Sequence, residues 1–109
     1  MELNSKQRAY LRSLSNNLDV IVHIGKDGIG DNLVKQADNA LEARELIKGK
    51  VLDNNIEYDA RSAAEELAKR TRSEVVQVIG SKFVLYRETH SKPKEKRIAL
   101  ARDSKRKPN

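Results

Sequence analysis

Apolar residues recur along this chain at two different spacings, and the changes of spacing divide it into seven predicted elements. Leucines three and four residues apart predict a first helix over about 5–16, with Ser5 as its N-cap. The same helical spacing predicts further helices over about 31–43 and 59–71. Runs rich in β-branched residues predict four strands, over 20–24, 45–52, 74–79 and 82–87.

The predicted order of elements is αβαβαββ, which indicates an α/β domain with a mixed sheet of four strands. Strands that are separated by helices need crossover connections and therefore run parallel. Gly80-Ser81 between the last two strands matches the turn of an antiparallel hairpin. Gly49 inside the second strand indicates a bulge.

Strict alternation of side chains along the strands predicts two unequal faces of the sheet. One face is apolar throughout and gathers Val20, Val22, Ile24, Ile47, Val51, Val76, Val78, Phe83 and Leu85. The other face also carries His23, Lys48, Lys50 and Gln77, so we expect one helix to cover only part of it. A histidine in the middle of a strand is usually packed or hydrogen-bonded, and we expect this of His23.

Length and composition favour a single domain in a reducing compartment. The chain has 109 residues and no cysteine, which excludes disulfides and thiolate metal sites. Its first residues lack the apolar run of a signal peptide, and no stretch is apolar enough to span a membrane. These observations predict a cytoplasmic protein that does not enter membranes.

The charge of the chain is concentrated at its C-terminal end. The net charge is +6, and residues 89–109 contain eight basic and two acidic side chains, which account for the whole excess. We therefore predict one domain over 1–88 and a basic tail over 89–109, in which 89–102 is partly ordered as a short strand or by docking on the body. Such a tail attracts nucleic acid without reading sequence, or it only keeps the protein soluble.

The segment Gly25-Lys26-Asp27-Gly28 joins the first strand to the second helix and is the main candidate for a binding site. Glycines allow a tight turn and a close approach of another chain. The helix that follows directs free N–H groups toward the turn, and Lys26 adds a positive charge, a combination that suits a phosphate. Many proteins also need glycine in such a turn for structural reasons alone, so the loop by itself leaves both interpretations open.

Other binding chemistries have little support in the sequence. The chain lacks GxGxxG, and its Gly-Lys pair is not followed by Ser or Thr, so nucleotide-binding loops are disfavoured. We find no catalytic constellation, cofactor motif or small-molecule site. Three of the four aromatic residues, Tyr10, Phe83 and Tyr86, are expected in the core. Few are then left to stack unpaired bases, which favours binding of structured RNA by charge and backbone shape.

Several segments together resemble one family. Leu46-Ile47-Lys48, Val76-Gln77-Val78-Ile79-Gly80 and Val84-Leu85-Tyr86-Arg87 follow the GxxG loop in the order that is seen in CRM domains (chloroplast RNA splicing and ribosome maturation), particularly the stand-alone bacterial YhbY type. The resemblance implies an RNA-binding domain without catalytic activity and without cofactors. Its fold would be similar to the C-terminal domain of translation initiation factor 3 with an added N-terminal helix, and its partner would be precursor RNA of the large ribosomal subunit.

The resemblance also assigns binding residues. It implies RNA contacts by the GxxG loop (Gly25, Lys26, Asp27 and Gly28), by the basic first helix (Lys6, Arg8 and Arg12, expected on one polar side) and by Arg87. The residues themselves add Lys48 and Lys50 on the sheet and Lys94, Lys96 and Arg97 in the tail as candidates, although the sheet lysines could equally be solvated and Arg87 could pair with a carboxylate.

The chain departs from the family pattern at four positions, which are Asp27, Gly30, Gly49 and Arg72. A carboxylate at Asp27 would repel a phosphate unless it turns away. Arg72 stands where glycine often ends the third helix, and a left-handed backbone there would cost about 1 kcal/mol. We expect a monomer, and the alternative function is a protein-interaction adaptor that docks on a ribosomal protein or translation factor.

Overall fold

The computed structural model describes residues 3–55, 57–93, 95 and 97–100. It confirms the predicted order of elements, and every boundary lies within about one residue of the predicted one. The seven elements are α1 (Ser5–Ser15), β1 (Val20–Ile24), α2 (Asp31–Arg44), β2 (Leu46–Val51), α3 (Ala60–Thr71), β3 (Glu74–Ile79) and β4 (Lys82–Tyr86).

The four strands form one mixed sheet in the order β1-β2-β4-β3. β1 runs parallel to β2, and β4 runs antiparallel to both of its neighbours, as the crossover helices and the hairpin predict. The strand order, which the sequence pattern left open, places β1 and β3 at the two edges. The carboxyl end of β1, where the GxxG loop begins, therefore lies at one corner of the sheet.

Helices cover the two faces of the sheet unequally. α2 and α3 pack on one face over the larger core, in which Ile24, Leu41, Leu67 and Phe83 are buried. On the other face, α1 covers a smaller cluster through Leu11. This arrangement confirms that one helix covers the less apolar face only in part. Among the described residues, Ile98 and Leu100 also pack on that face, whereas His23 on the same face is exposed.

The predicted alternation is wrong at Val20 and at Val76. Val20 pairs with Lys48, and its neighbour Ile21 packs against the larger core instead. The β3–β4 register shifts between Val75 and Gln77, so β3 has one extra residue, and Val76 joins the α1 cluster instead of the larger core.

The bulge that Gly49 indicated lies in the neighbouring strand and not in β2 itself. Gly49 pairs regularly with Phe83, whereas the register of β1 with β2 shifts between Val20 and Val22, opposite Lys48 and Gly49.

Side-chain caps fix the starts of two helices. The N-cap of α1 is Asn4 and not Ser5, because its side chain accepts the N–H of Gln7 at 2.8 Å while the Gln7 side chain accepts the N–H of Asn4 at 3.0 Å. Asp59 and Ser62 form the same reciprocal cap at α3. α2 starts at Gly30, which offers no capping side chain.

The segment after β4 docks on the body and does not form a strand over 97–100. The buried carboxylate of Glu45 accepts the N–H groups of Thr89 at 2.9 Å and of Ile98 at 2.6 Å. Ile98 and Leu100 pack against the α1 cluster. Of the two alternatives that the sequence left for this segment, docking is the one observed. The division of the chain at residue 88 stays a prediction.

Candidate nucleic-acid interface

The GxxG loop is a tight turn with its two central side chains at the tip. The N–H of Gly28 donates to the carbonyl of Gly25 at 3.0 Å, which closes the turn and leaves Lys26 and Asp27 exposed. Gly28 has φ +70°, and Glu57 Oε1 lies 3.3 Å from where its Cβ would be. Glycine is therefore required by the backbone at Gly28, whereas a Cβ at Gly25 would make only ordinary contacts.

Asn55, which the sequence analysis did not single out, stabilises this turn by a side-chain hydrogen bond. Its Nδ2 donates to the carbonyl of Gly25 at 2.7 Å, and its Oδ1 accepts the N–H groups of Glu57 at 2.9 Å and Tyr58 at 2.8 Å. One amide side chain thus joins the GxxG turn to the segment that leads into α3. Its only signal in the sequence is the Asp-Asn-Asn turn that it ends.

Arg70 of α3 fastens the other side of the loop. Its Nη1 donates to the carbonyl of Ile29 at 2.8 Å, and its Nη2 lies 3.1 Å from Asp31 Oδ1. This contact joins residues about forty positions apart, so no local pattern could reveal it. With Asn55 and Arg70 holding the backbone, the side chains at the tip of the turn are left to meet a ligand.

The turn opens into a shallow cleft at the start of α2. The cleft has a volume of about 660 Å³, and its lining includes His23, Lys26, Asp27 and Gly30. Because Gly30 makes no side-chain cap, the first N–H groups of α2 have no side-chain acceptor there, and the helix dipole adds positive potential. Asp27 contributes the opposite charge, so Lys26 and the backbone N–H groups must account for any attraction to phosphate.

The basic residues of α1 do not share one polar side as predicted. Lys6 and Arg12 are exposed, but Arg8 is half-buried and its guanidinium donates to the carbonyls of Val75 and Val76 in β3. Lys6 and Arg8 are also two positions apart, about 200° around a helix, which places them on different sides. Arg8 therefore satisfies the carbonyls at the β3 bulge.

Arg87 is enclosed by acceptors of the protein itself. Its guanidinium contacts Asp38 at 2.5 Å, the carbonyl of Thr71 at 2.8 Å and Glu42 at 3.3 Å, and its side chain is 18% exposed. The pairing with carboxylates that the sequence left open is therefore what the structure shows. The contacts join α2, the end of α3 and the end of β4.

Of the three RNA-binding candidates in the tail, the structure describes one, and that residue is paired within the protein. Arg97 donates to the carbonyl of Lys92 at 2.9 Å and lies 3.5 Å from Glu88. Lys94 and Lys96 fall outside the described residues.

Lys48 and Lys50 lie on the sheet face that carries α1, as predicted, and both are half-buried. His23 is exposed there, so its predicted packing within the strand is wrong.

The predicted burial of three aromatic residues is confirmed for two of them. Phe83 and Tyr86 are in the core as expected, but Tyr10 is 43% exposed on α1.

The described part of the chain contains no helix long and apolar enough to cross a membrane. Over the same residues, no three His, Cys, Asp or Glu side chains come together as a metal site would require.

Proteins with a similar sequence are named for RNA binding. YqeI of Bacillus subtilis (strain 168), a "probable RNA-binding protein", is 49% identical over 87 residues, which are 80% of this chain and 90% of that protein. MJ0652 of Methanocaldococcus jannaschii has the same description and is 37% identical over 79% of this chain and 64% of its own length. An "RNA-binding protein" of Haemophilus influenzae is 33% identical over 78% of this chain and 85% of its own.

A solved structure and a family model agree with these similarities. The solution structure of SAV1595 from Staphylococcus aureus, described as a candidate RNA-binding protein, is 53% identical to this chain. It superposes with a TM-score of 0.73 over 92% of this chain and 100% of its own. The model of the CRS1/YhbY (CRM) domain matches residues 3–87. This chain therefore belongs to the CRS1/YhbY (CRM) domain family.

Proposed function

We propose that this protein binds RNA through the GxxG turn and the lysines around it, and that it acts on precursor RNA of the large ribosomal subunit during ribosome assembly. In this proposal it works in the cytoplasm as a monomer, without cofactors. The observation that carries the proposal is the GxxG turn itself, in which Lys26 is exposed and has no ion-pair partner among the described residues, beside the start of α2, where Gly30 provides no side-chain cap. The names of the relatives support RNA as the ligand.

The candidate residues have two different parts in this proposal. Lys26, Lys48 and Lys50, together with the exposed Lys6 and Arg12, supply positive charge for phosphates, since no carboxylate among the described residues forms an ion pair with them. The guanidinium groups of Arg8, Arg87 and Arg97 are engaged by the protein and hold the elements in place. Direct RNA contacts by these three arginines stay a prediction, and they would have to compete with the internal acceptors.

The first test is the binding of the full-length protein to an RNA duplex of about 16 base pairs, measured by fluorescence anisotropy at several salt concentrations. Engagement of about three to five phosphates predicts a slope of about −2 to −4 in log affinity against log salt. We expect Lys26→Gln to lower the magnitude of this slope by about one and to weaken binding about eightfold at 0.1 M salt.

Lys69→Gln is the matched control, because Lys69 is an exposed lysine on α3, which covers the opposite face of the sheet. It should leave the affinity unchanged. A wild-type slope near zero, or equal losses for Lys26→Gln and Lys69→Gln, would contradict the proposed interface.

The contribution of the basic tail needs a full-length variant and not a truncation. A chain that ends at residue 88 would deprive the buried Glu45 carboxylate of the N–H groups of Thr89 and Ile98. Replacing Lys105, Arg106 and Lys107 by glutamine removes charge without disturbing these bonds. If this variant no longer binds RNA, the body does not bind by itself, and the adaptor function becomes the better explanation.

The ribosomal part of the proposal is tested in cells by crosslinking the tagged protein to RNA and sequencing the attached fragments. Reads concentrated at one region of large-subunit ribosomal RNA are expected, and they would locate the site. Reads scattered over all RNA would contradict a role in assembly.

A further inference from the structure

One row of side chains crosses the whole sheet on the face that α1 leaves open. The registers pair His23 of β1 with Lys50 of β2, Lys50 with Lys82 of β4, and Lys82 with Ile79 of β3. We call these four residues the open row. Paired residues of neighbouring strands point to the same face, so the three nitrogen-bearing side chains stand side by side across about 10 Å.

The open row begins at the GxxG cleft. His23 lines that cleft together with Lys26 and is also the first member of the row. It precedes the turn by only two residues, at the carboxyl end of β1. The cleft and the row therefore form one continuous surface that leads from the loop toward the β3–β4 hairpin.

Three of the four residues in the row are exposed and Lys50 is half-buried, and neither lysine of the row has an ion-pair partner in the described part of the chain. His23 and Lys82 are exposed, Ile79 is 63% exposed, and none of the four belongs to the hydrophobic clusters. Among the described residues no carboxylate forms an ion pair with Lys50 or Lys82, whereas Arg70, Arg87 and Arg97 all have one. Two lysines directly opposite each other on neighbouring strands repel, so this pair costs stability in the free protein.

We propose that the open row is a second phosphate-binding surface, along which the RNA backbone continues from the GxxG cleft across the sheet, with Lys50 and Lys82 as its contacts and His23 between them and the loop. This inference rests on the proposed function. It adds Lys82 and His23, which neither the sequence analysis nor the family resemblance assigned.

The chemistry of the row favours the RNA backbone over bases or a protein partner. Its two lysines are flexible point charges, which attract phosphates without the bidentate geometry that arginine uses to read a base edge. No tyrosine, phenylalanine or tryptophan lies in the row to stack bases. With Ile79 as its single apolar member, the row offers little area to a protein.

The test compares Lys82→Gln, Lys50→Gln and their combination in the full-length protein, with Lys69→Gln as the control. The probe is the same RNA duplex of about 16 base pairs, in two unrelated sequences. Each row variant should bind about eightfold more weakly at 0.1 M salt, reduce the magnitude of the salt slope by about one, and affect both sequences equally. The double variant should lose about two units of slope.

A stability measurement separates lost binding from lost folding. Because Lys82→Gln removes a repulsion, its urea midpoint should equal or exceed that of the wild type.

The binding data distinguish failure of the row from failure of the proposed function. If Lys82→Gln binds RNA as tightly as the wild type while Lys26→Gln binds more weakly, the open row is not a binding surface, and the proposed function still holds. A wild-type protein without salt-dependent RNA binding would overturn both. Tighter binding of a polyglutamate peptide than of RNA would assign the row to an acidic protein instead.

Discussion

At the scale of single residues, arginines and lysines have different roles, since several arginines bind groups of the protein itself and the lysines of the loop and the sheet are at least partly exposed to solvent. Arg8, Arg70, Arg87 and Arg97 each donate to backbone carbonyls of this protein, and three of them also pair with carboxylates. The guanidinium group suits this use, because its several donors sit in a fixed fork and it is always charged. Within the part of the chain that the structure describes, the lysines of the loop and the sheet have no such partners, so the charge available to a ligand there is mostly lysine charge.

Arg72 is the residue whose backbone conformation we expect to cost stability. It ends α3 in the left-handed region with φ 59° and ψ 41°, and its side chain is exposed. Arg72→Gly should raise the free energy of unfolding by about 1 kcal/mol, since glycine adopts this conformation without a Cβ clash. Urea denaturation measures the change.

Arg72→Ala serves as the control, because it removes the charge but keeps the Cβ. This substitution should not raise the free energy of unfolding by a comparable amount. Equal gains from glycine and alanine would show that the charge, and not the backbone, is responsible.

At the scale of elements, both edge strands are protected by side chains from helices. Arg8 of α1 binds carbonyls of β3, and Gln36 of α2 donates to the carbonyl of Ile21 in β1 at 3.1 Å. Each contact lies at a register irregularity of its strand. Bulges and covered backbone groups both hinder edge-to-edge association of sheets, which is consistent with the expected monomer.

The β2–β4 pair predicts a strong coupling between Gly49 and Phe83. A Cβ at Gly49 would overlap the Phe83 ring, so Gly49→Ala should lower the free energy of unfolding by about 2 kcal/mol. Adding Phe83→Leu makes room for the methyl group, and the double variant should be more stable than the sum of the single effects predicts. Urea denaturation of the three variants gives the coupling energy, and strictly additive effects would contradict it.

The sequence predicted these elements well, because their signals are local. Strand and helix boundaries follow from spacings of two to four residues, and the turn residues at Gly28 and Gly80 stand beside the elements they connect. The bulge at Val76 escaped prediction because an extra residue is defined only by the register with β4. The same limit explains why Gly49, which makes room for Phe83, could be taken for a bulge.

At the scale of the whole molecule, two acidic residues near the end of α2 hold the tail. Glu45 accepts backbone N–H groups from Thr89 and Ile98, and Glu42 accepts from Thr89 Oγ1 at 2.5 Å and from the N–H of Ser91 at 3.1 Å. Hydrogen bonds from the Thr89 and Ser91 side chains lower the pKa of Glu42 to about 2, and Arg87 adds to this effect. The attachment of the tail through Glu42 therefore depends on the ionised form of that carboxylate.

The lowered pKa predicts how tail attachment depends on acidity. Because Glu42 titrates near 4.5 when unfolded and near 2 when folded, its ionised form stabilises the protein above about pH 4.5, and this contribution is lost as the pH falls toward 2. Glu42→Gln should therefore be less stable than the wild type at pH 6, and the difference should shrink between pH 4.5 and 2. Urea denaturation at these pH values measures both proteins.

Glu65→Gln is the matched control, since Glu65 is exposed on α3 and only pairs with Arg61 at 3.7 Å. It should change stability little at any of these pH values. A constant difference between wild type and Glu42→Gln from pH 6 to pH 2 would contradict the role of the carboxylate charge.

The sequence by itself determined the elements, the mixed sheet and the position of the GxxG turn, because each depends on residues close together in the chain. The family resemblance, which the comparisons confirm, also came from such local motifs. The tertiary structure decided what each charged residue does. Arg8 meets Val75 across 67 positions and Arg87 meets Asp38 across 49, and only folding brings these groups together. The open row likewise exists only once the strand order is set, since three strands distant in sequence contribute its nitrogen-bearing side chains.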